Sequence, residues 1–185
     1  YDPDGAKKLL EESGWTDTDG DGYVDKDGQK LSINWLTYPT RLEQPKLAEY
    51  AQATLKDIGI DVQVNNTSDH RTFAENGEFD VYVSSTTTAP TGDPEYFFTS
   101  TVVGSKNYGN YQNEEVTKLT EQLHQTFDKD ERGKLATELQ QDILDDDAFF
   151  FVSHLNMGIV TKSNVTGMAA HPCDYYEITA DLDVE

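Results

Sequence analysis

Leu31-Ser32-Ile33-Asn34-Trp35-Leu36 alternates apolar and polar side chains, and the run from Pro45 after it carries Leu47, Ala51, Leu55 and Ile58 on one helical stripe before Gly59 stops it. A period of two followed by one of three to four is the pattern of a strand feeding a helix. Ile60 to Val64 then reads as a second strand, Asp69 as the cap of a short helix through Phe73 that ends near Gly77, and Phe79 to Val83 as a third strand. Strand, helix, strand, helix, strand with such short connections implies parallel neighbours joined by right-handed crossovers. The expected fold class is α/β, a mostly parallel sheet flanked by helices, with Trp35, Leu55, Phe73 and Val81 turned inward.

Upstream, Asp2 caps a helix with Pro3 in its first turn, Ala6, Leu9 and Leu10 facing inward, and Gly14 at its end. Next comes Asp17-Thr18-Asp19-Gly20-Asp21-Gly22-Tyr23-Val24-Asp25. Carboxylates at alternate places with glycine sixth are how a calcium loop begins, because oxygens at that spacing can converge on one hard cation. Asp17, Asp19, Asp21 and Asp25 are the candidate metal ligands. The twelfth place from Asp17, however, is Gly28, not the glutamate that would supply two oxygens. The competing reading is a solvated turn in which Asp-Gly geometry joins helix to strand. That turn is the expected state, with no cofactor required.

Downstream, Asn113 caps a helix through Val116, Leu119 and Leu123, and Asp128 with Glu131 makes a capping box for another through Leu135, Leu139 and Ile143. After Asp145-Asp146-Asp147 two β-rich segments follow, Ala148 to Leu155 and Met157 to Thr161. The first is expected to join the sheet, with Phe150 buried alongside Leu139. The tail beyond Gly167 lacks a regular pattern.

Composition bounds the class. The 185 residues make one domain of comfortable size, or a lobe of something larger. A formal net charge of −21 excludes nucleic acid as a partner, since phosphate binding rests on Lys and Arg. The acidic residues are spread along the chain as a solvated surface suited to saline or extracellular surroundings. Cys173 is the single cysteine, so no internal disulfide forms. No apolar run is long enough to span a membrane. The chain opens directly in a helix cap, which reads as an excised piece.

Chemistry is sought in the irregular stretches, since long loops in α/β domains are usually functional. Ligands of open α/β sheets sit beyond the carboxyl ends of the parallel strands, and the loop after Val83 begins at such an end. It holds Thr86, Thr87 and Thr88, hydroxyls able to line a polar cleft or merely to solvate the loop. Asp93 and Pro94 then start a helix that sends Phe97 and Phe98 into the core. His124 is an ordinary surface residue, and His154 a structural histidine in an apolar strand. His171 and Cys173 offer two metal ligands without a third. Ser153 and His154 point to opposite faces of a strand, so they make no nucleophile and base. With no catalytic constellation, the chain is expected not to be an enzyme. A calcium-dependent extracellular interaction module would rest on Asp17 to Asp25 alone.

The order of helix, Gly-Trp, Asp-Gly-Asp-Gly hairpin, Leu-x-Ile strand, Leu47-Ala48-Glu49-Tyr50 helix and Ile58-Gly59-Ile60-Asp61-Val62 resembles the second lobe of peptide- and nickel-type solute-binding proteins, family 5. Asp80-Val81-Tyr82, Asp93-Pro94, the helix pair and Ala148-Phe149-Phe150-Phe151-Val152 fit in order, over nearly the whole chain. The resemblance implies a periplasmic-binding-protein-like (type II) lobe spanning residues 1–185, the C-terminal lobe of two that close on a solute. Its tail, from about residue 167, would return toward the missing lobe. Implied partners are a small solute, a metal chelate or a short peptide, and the permease subunits of an ATP-driven (ABC) importer. The full-length protein would be a monomer, extracellular, anchored at the cell surface or periplasmic.

Within that family, peptide binders hold a peptide's amino terminus with an aspartate, whose place here is Pro90, and proline cannot pair with an ammonium group. The segment Val152 to Lys162 and the pair Ala89-Pro90 are similar to the nickel branch. The nickel branch's histidine falls at Lys106, in Gly104-Ser105-Lys106-Asn107-Tyr108. A protonated lysine does not replace imidazole at a metal, but it suits an anionic metal chelate. The resemblance thus adds Lys106 and Tyr108 to the threonines as solute contacts. It implies capture of nickel or a metal chelate, with oligopeptide or dipeptide binding as the alternative.

Overall fold

The Asp2 carboxylate accepts the Gly5 amide at 2.9 Å, Pro3 opens α1 (Pro3–Glu12), and Gly14 at φ +85° follows its end. The computed structural model describes residues 1–156, 158–171 and 178–185. The chain forms two units, Tyr1–Ser85 and Thr86–Glu185. On α1, Leu10 is half-buried but Leu9 is exposed, contrary to expectation. Adjacent helical residues point in different directions, and only one of this pair can face inward.

In the first unit, β1 (Asp25–Lys26) and β2 (Gln29–Lys30) form a hairpin around Asp27 and Gly28, at φ +53° and +75°. Positive φ at both central residues is the hairpin turn that Asp-Gly favours. β3 (Ser32–Thr37), α2 (Glu43–Lys56), β4 (Asp61–Asn66), α3 (His70–Glu75) and β5 (Val81–Tyr82) follow. The sheet order is β4-β3-β5 and both pairings are parallel, as the strand and helix periods require. Trp35 stands in register between Val64 and Val81. The two crossovers run in opposite directions, so the right-handed rule places α2 and α3 on opposite faces. Trp35, Leu55, Phe73 and Val81 are half-buried, while Leu36 and Thr37 are fully buried on the central strand. Asp69 does not cap α3 through its backbone amides; its carboxylate accepts the Thr72 hydroxyl at 2.8 Å.

The second unit is built on helices. α4 (Glu95–Phe97) runs into a π-helical turn, Phe98–Val102, and is followed by α5 (Glu114–Gln125) and α6 (Lys129–Asp145). Both long helices start as their sequences dictate. Asn113 Oδ1 accepts the Glu115 and Val116 amides, and Asp128 Oδ1 accepts those of Asp130 and Glu131. Phe98, Val102, Val116, Leu123, Leu139 and Ile143 form the centre of one apolar core. β6 (Val165–Thr166) pairs antiparallel with β7 (Asp183–Val184).

Three expectations fail in this unit. Ala148 to Leu155 joins no sheet among the described residues, and the described part of Met157 to Thr161 is not strand either; Met157 itself lies outside the described residues. Side chains hold the segment instead. Phe149 and Phe151 lie 5.9 Å from the Phe97 ring in edge-on contacts. Alternation therefore turns Phe150 outward, and it is 89 % exposed rather than buried. Leu139 is fully buried, as expected.

Candidate functional site

The parallel strands of the first unit end at Thr37, Asn66 and Tyr82, and the sheet's last bond on β5 is donated by the Val83 amide to Leu36 O at 3.1 Å. Two residues on, the Ser85 amide donates to the Tyr38 hydroxyl at 3.1 Å. Tyr38 is buried and its ring stacks on His70 at 4.0 Å, while His70 Nδ1 lies 2.6 Å from the Tyr82 hydroxyl. Burial, with a smaller push from Arg71, holds the His70 pKa below the usual imidazole value and keeps the ring neutral near pH 7. Nothing in the periodicity singles out these three residues. The one available signal is position, since each lies at or just beyond a carboxyl end of the sheet or begins α3.

Thr86, Thr87 and Thr88 begin the second unit, and all three are exposed. Pro90 behind them is buried, with a turn closed by the Gly92 amide on Ala89 O at 3.0 Å. Lys106 is set by a tight backbone. Its amide donates to Ser100 O at 2.9 Å, and a Cβ on neighbouring Gly104 would lie 2.0 Å from Thr99 O, so only glycine fits there. The Lys106 ammonium donates to the Tyr96 hydroxyl at 3.1 Å and lies 5.4 Å from that ring's centre. An exposed cation is thus held in place by an aromatic ring. Among the described residues no hydrogen bond joins Lys106 to the threonines. Tyr108 is half-buried.

Two polar networks of this unit were not read from sequence. Arg132 donates to both Asp93 carboxylate oxygens at 3.0 and 2.6 Å, to Glu95 Oε2 at 2.9 Å, and to the Leu123 and Thr126 carbonyls at 2.7 Å each. Asp93 also accepts the Glu95 amide at 2.9 Å, but it stands one residue before the helix cap, which is Pro94 rather than Asp93, so Pro94 lies outside the first turn of α4. The Arg132 hydrogen bonds hold the Asp93 carboxyl below its usual range. At Glu95 burial pushes upward, but the bonds from Arg132 and His124 outweigh it. His124, read as an ordinary surface residue, is indeed exposed but lies 2.6 Å from Glu95. The second network borders an open groove of about 780 Å³ lined by Asn107, Asn110, Tyr111, Asn113 and Glu114. There the Tyr111 hydroxyl donates to Asp146 at 2.5 Å, and burial followed by that bond pushes its pKa up to about 12. Asn107 and Asn113 bond to Tyr111 and Asp146, so the groove's amides are already engaged in holding the loop.

In the acidic hairpin the carboxylates of Asp17, Asp19 and Asp21 offer oxygens within 4.8 Å of one another, all exposed. Each also holds the loop itself: Asp17 accepts the Gly20 and Gly22 amides, Asp19 the Asp21 amide, and Asp21 the Tyr23 amide and the Lys30 ammonium. Asp25 is not part of that group; its carboxylate accepts the Thr18 amide at 2.9 Å and hydroxyl at 2.7 Å. Gly28 sits in the hairpin turn. His154 is exposed in the extended segment rather than packed in a strand. His171 is exposed, and Cys173 lies outside the described residues. No helix among the described residues is long and apolar enough to cross a membrane.

Comparison with known proteins supplies the family. Residues 1–109, more than half of the chain, match the description "Bacterial extracellular solute-binding proteins, family 5 Middle". The chain is 30% identical over 184 residues to the oligopeptide-binding protein AppA of Bacillus subtilis, covering 96% of this chain and 34% of that protein. It is 28% identical over 181 residues to the nickel-binding periplasmic protein of Escherichia coli, covering 93% and 34%. The crystal structure of a nickel ABC transporter protein from Bacillus halodurans superposes with a TM-score of 0.68 at 31% identity, over 78% of this chain and 30% of that one. The chain thus spans about a third of the length of the curated relatives it matches. These relatives are solute-binding proteins, not enzymes, and the α/β architecture is that of type II periplasmic binding proteins. By the match over its first 109 residues and the likeness over nearly its whole length, the chain belongs to the bacterial extracellular solute-binding proteins of family 5.

Proposed function

We propose that this chain is the C-terminal lobe of a solute receptor that captures nickel, in the form of an anionic metal chelate, and delivers it to the permease of an ABC importer. The observation that carries the reading is Lys106. By the resemblance it stands at the place of the nickel branch's histidine, and its ammonium is exposed and held on Tyr96. A fixed ammonium attracts an anion but does not ligate a metal at neutral pH. Thr86, Thr87 and Thr88 supply hydroxyls and Tyr108 an aromatic surface to the same solute. Exposed Phe150 on the unpaired extended segment, and the tail from about residue 167, face the rest of the receptor in this reading. The protein works outside the cytoplasm, anchored at the surface or periplasmic, as a monomer and without a required cofactor.

A second reading, capture of oligopeptides or dipeptides, is favoured by the 30% identity to AppA, whose name records oligopeptide binding. Calorimetry on the full-length protein separates the two. Nickel chloride, the anionic nickel–EDTA complex and short peptides are titrated into wild type and Lys106→Ala. The expected result is binding of the nickel complex, weakened roughly tenfold in the variant, a change of about 1.4 kcal/mol. Tight peptide binding with no response to the nickel complex overturns the nickel reading, and an unchanged affinity removes Lys106 from the site.

A further inference from the structure

We infer that Tyr38 and His70 are positioning residues that fix the exit of the solute loop, and so pre-organise Thr86, Thr87 and Thr88 for capture. The inference rests on the reading that this loop contacts the solute.

The geometry runs outward from the sheet. β5 has only two residues in register with β3, so the chain leaves the sheet with little backbone pairing behind it. After the Val83 amide the ladder ends, and the next bonded amide on the path to the threonines, that of Ser85, donates to a side chain, the Tyr38 hydroxyl. Tyr38 directly follows β3, so its hydroxyl extends by one bond the job of the central strand. The phenol is itself held: its ring lies at 20° to the His70 imidazole with centres 4.0 Å apart, and His70 Nδ1 meets the Tyr82 hydroxyl at 2.6 Å. Tyr82 belongs to β5, so the residue after β3, α3 and β5 each contribute one ring, and the last ring returns to the strand whose exit is being fixed. A loop held at its root loses less conformational freedom when a solute orders it, which is how pre-organisation raises affinity.

A structural role alone would lower stability and leave the loop as it is, so the test reads the loop. In the full-length protein, amide hydrogen exchange at Ser85 to Thr88 is measured for wild type, Tyr38→Phe, His70→Phe and His70→Asn. Tyr50→Phe, which alters an exposed tyrosine of α2, is the control. Tyr38→Phe keeps the stacked ring and removes only the hydroxyl. His70→Phe keeps the stack without the Tyr82 bond, and His70→Asn can keep the bond without the stack. Exchange at Ser85 to Thr88 is expected to rise roughly tenfold in Tyr38→Phe and less in the two His70 variants, with the melting temperature moving by no more than about 3 °C. The same variants should bind nickel–EDTA, or the short peptide that wild type binds, several-fold more weakly at unchanged stoichiometry. Exchange that stays at the wild-type rate in both Tyr38→Phe and His70→Phe overturns the inference. Faster exchange with unchanged affinity also overturns it, by separating the loop from the solute. Should wild type bind none of the probes, the solute reading fails, and the exchange rates still decide whether these rings hold the loop.

Discussion

The two units bury different things. In Thr86–Glu185 the core is apolar, and its buried hydroxyl, on Thr120, donates to Val116 O at 2.8 Å. Its one arginine, Arg132, is engaged on five hydrogen bonds. In Tyr1–Ser85 the buried set mixes Leu36, Ala48 and Val62 with Thr37 and Gln44. Trp35 Nε1, Thr37 Oγ1, Glu43 Oε1 and Gln44 Oε1 are buried there without a protein hydrogen-bond partner, and among the described residues no such atom lies in the other unit. A buried polar atom without a partner costs stability. Three of the four cluster in sequence at the end of β3 and the start of α2, the end of a parallel sheet where binding sites form. The contrast teaches that the helical unit is built for stability, whereas the sheet unit gives some up at the end from which the loop after Val83 departs.

The largest effect expected from this contrast is in the helical core. Leu139→Ala should cost about 3–4 kcal/mol by urea unfolding, since a fully buried leucine leaves a cavity that rigid neighbours cannot close. A cost below about 1 kcal/mol would show a loosely packed core and break the comparison.

Arg132→Ala should cost about 2–3 kcal/mol, because it strips partners from Asp93, Glu95 and two carbonyls together. Its pH signature sharpens the point. Asp93 and Glu95 have depressed pKa values in the folded state, so their contribution is full above the ordinary carboxylate range and is lost as pH falls through the folded values. Unfolding followed from pH 7 to pH 3 should show a shallower acid loss in the variant than in wild type. Equal slopes would mean that the network does not hold the helices.

A smaller effect of opposite sign is expected in the sheet unit. Thr37→Val replaces an unpartnered buried hydroxyl with a methyl group of similar size and should stabilise by about 1 kcal/mol. Loss of stability would show that the hydroxyl has a partner in solution and erase the contrast. The smallest effect belongs to the acidic hairpin. Calcium at millimolar concentration should move the melting temperature by less than about 1 °C, because the Asp17, Asp19 and Asp21 carboxylates already hold loop amides. A rise of several degrees would make the hairpin a calcium site.

How far the sequence reading reached can be followed element by element. The helix starts at Asp2, Asn113 and Asp128 were readable because a cap is a contact over two or three residues, complete within its own segment. That β3, β4 and β5 run parallel was readable because short helical crossovers leave few alternatives, whereas their order, β4-β3-β5, was not. Ala148 to Leu155 opens with an apolar, β-prone run, Ala148 to Val152, yet among the described residues it has no strand beside it. Periodicity reports an extended backbone, while pairing needs a neighbour that periodicity does not name. Phe150 was misplaced for a related reason: a period of two states that faces alternate, not which face meets Phe97.

Of the candidate site, the sequence supplied the loop, its threonines and Lys106, all by position and family order. Tyr96 beneath Lys106, and the Tyr38–His70–Tyr82 stack behind Ser85, came from the fold.

Local chemistry in the chain was sufficient to set where helices begin and end, how the strands run, and the surface of net charge −21, for each depends on neighbours a few residues away. Tertiary structure decided that Arg132 would reach Asp93 across 39 residues and that Tyr38 would hold Ser85 across 47. Contacts over such separations exist only after the chain has closed the loops between them. Their partners are therefore chosen by packing, which no local pattern records.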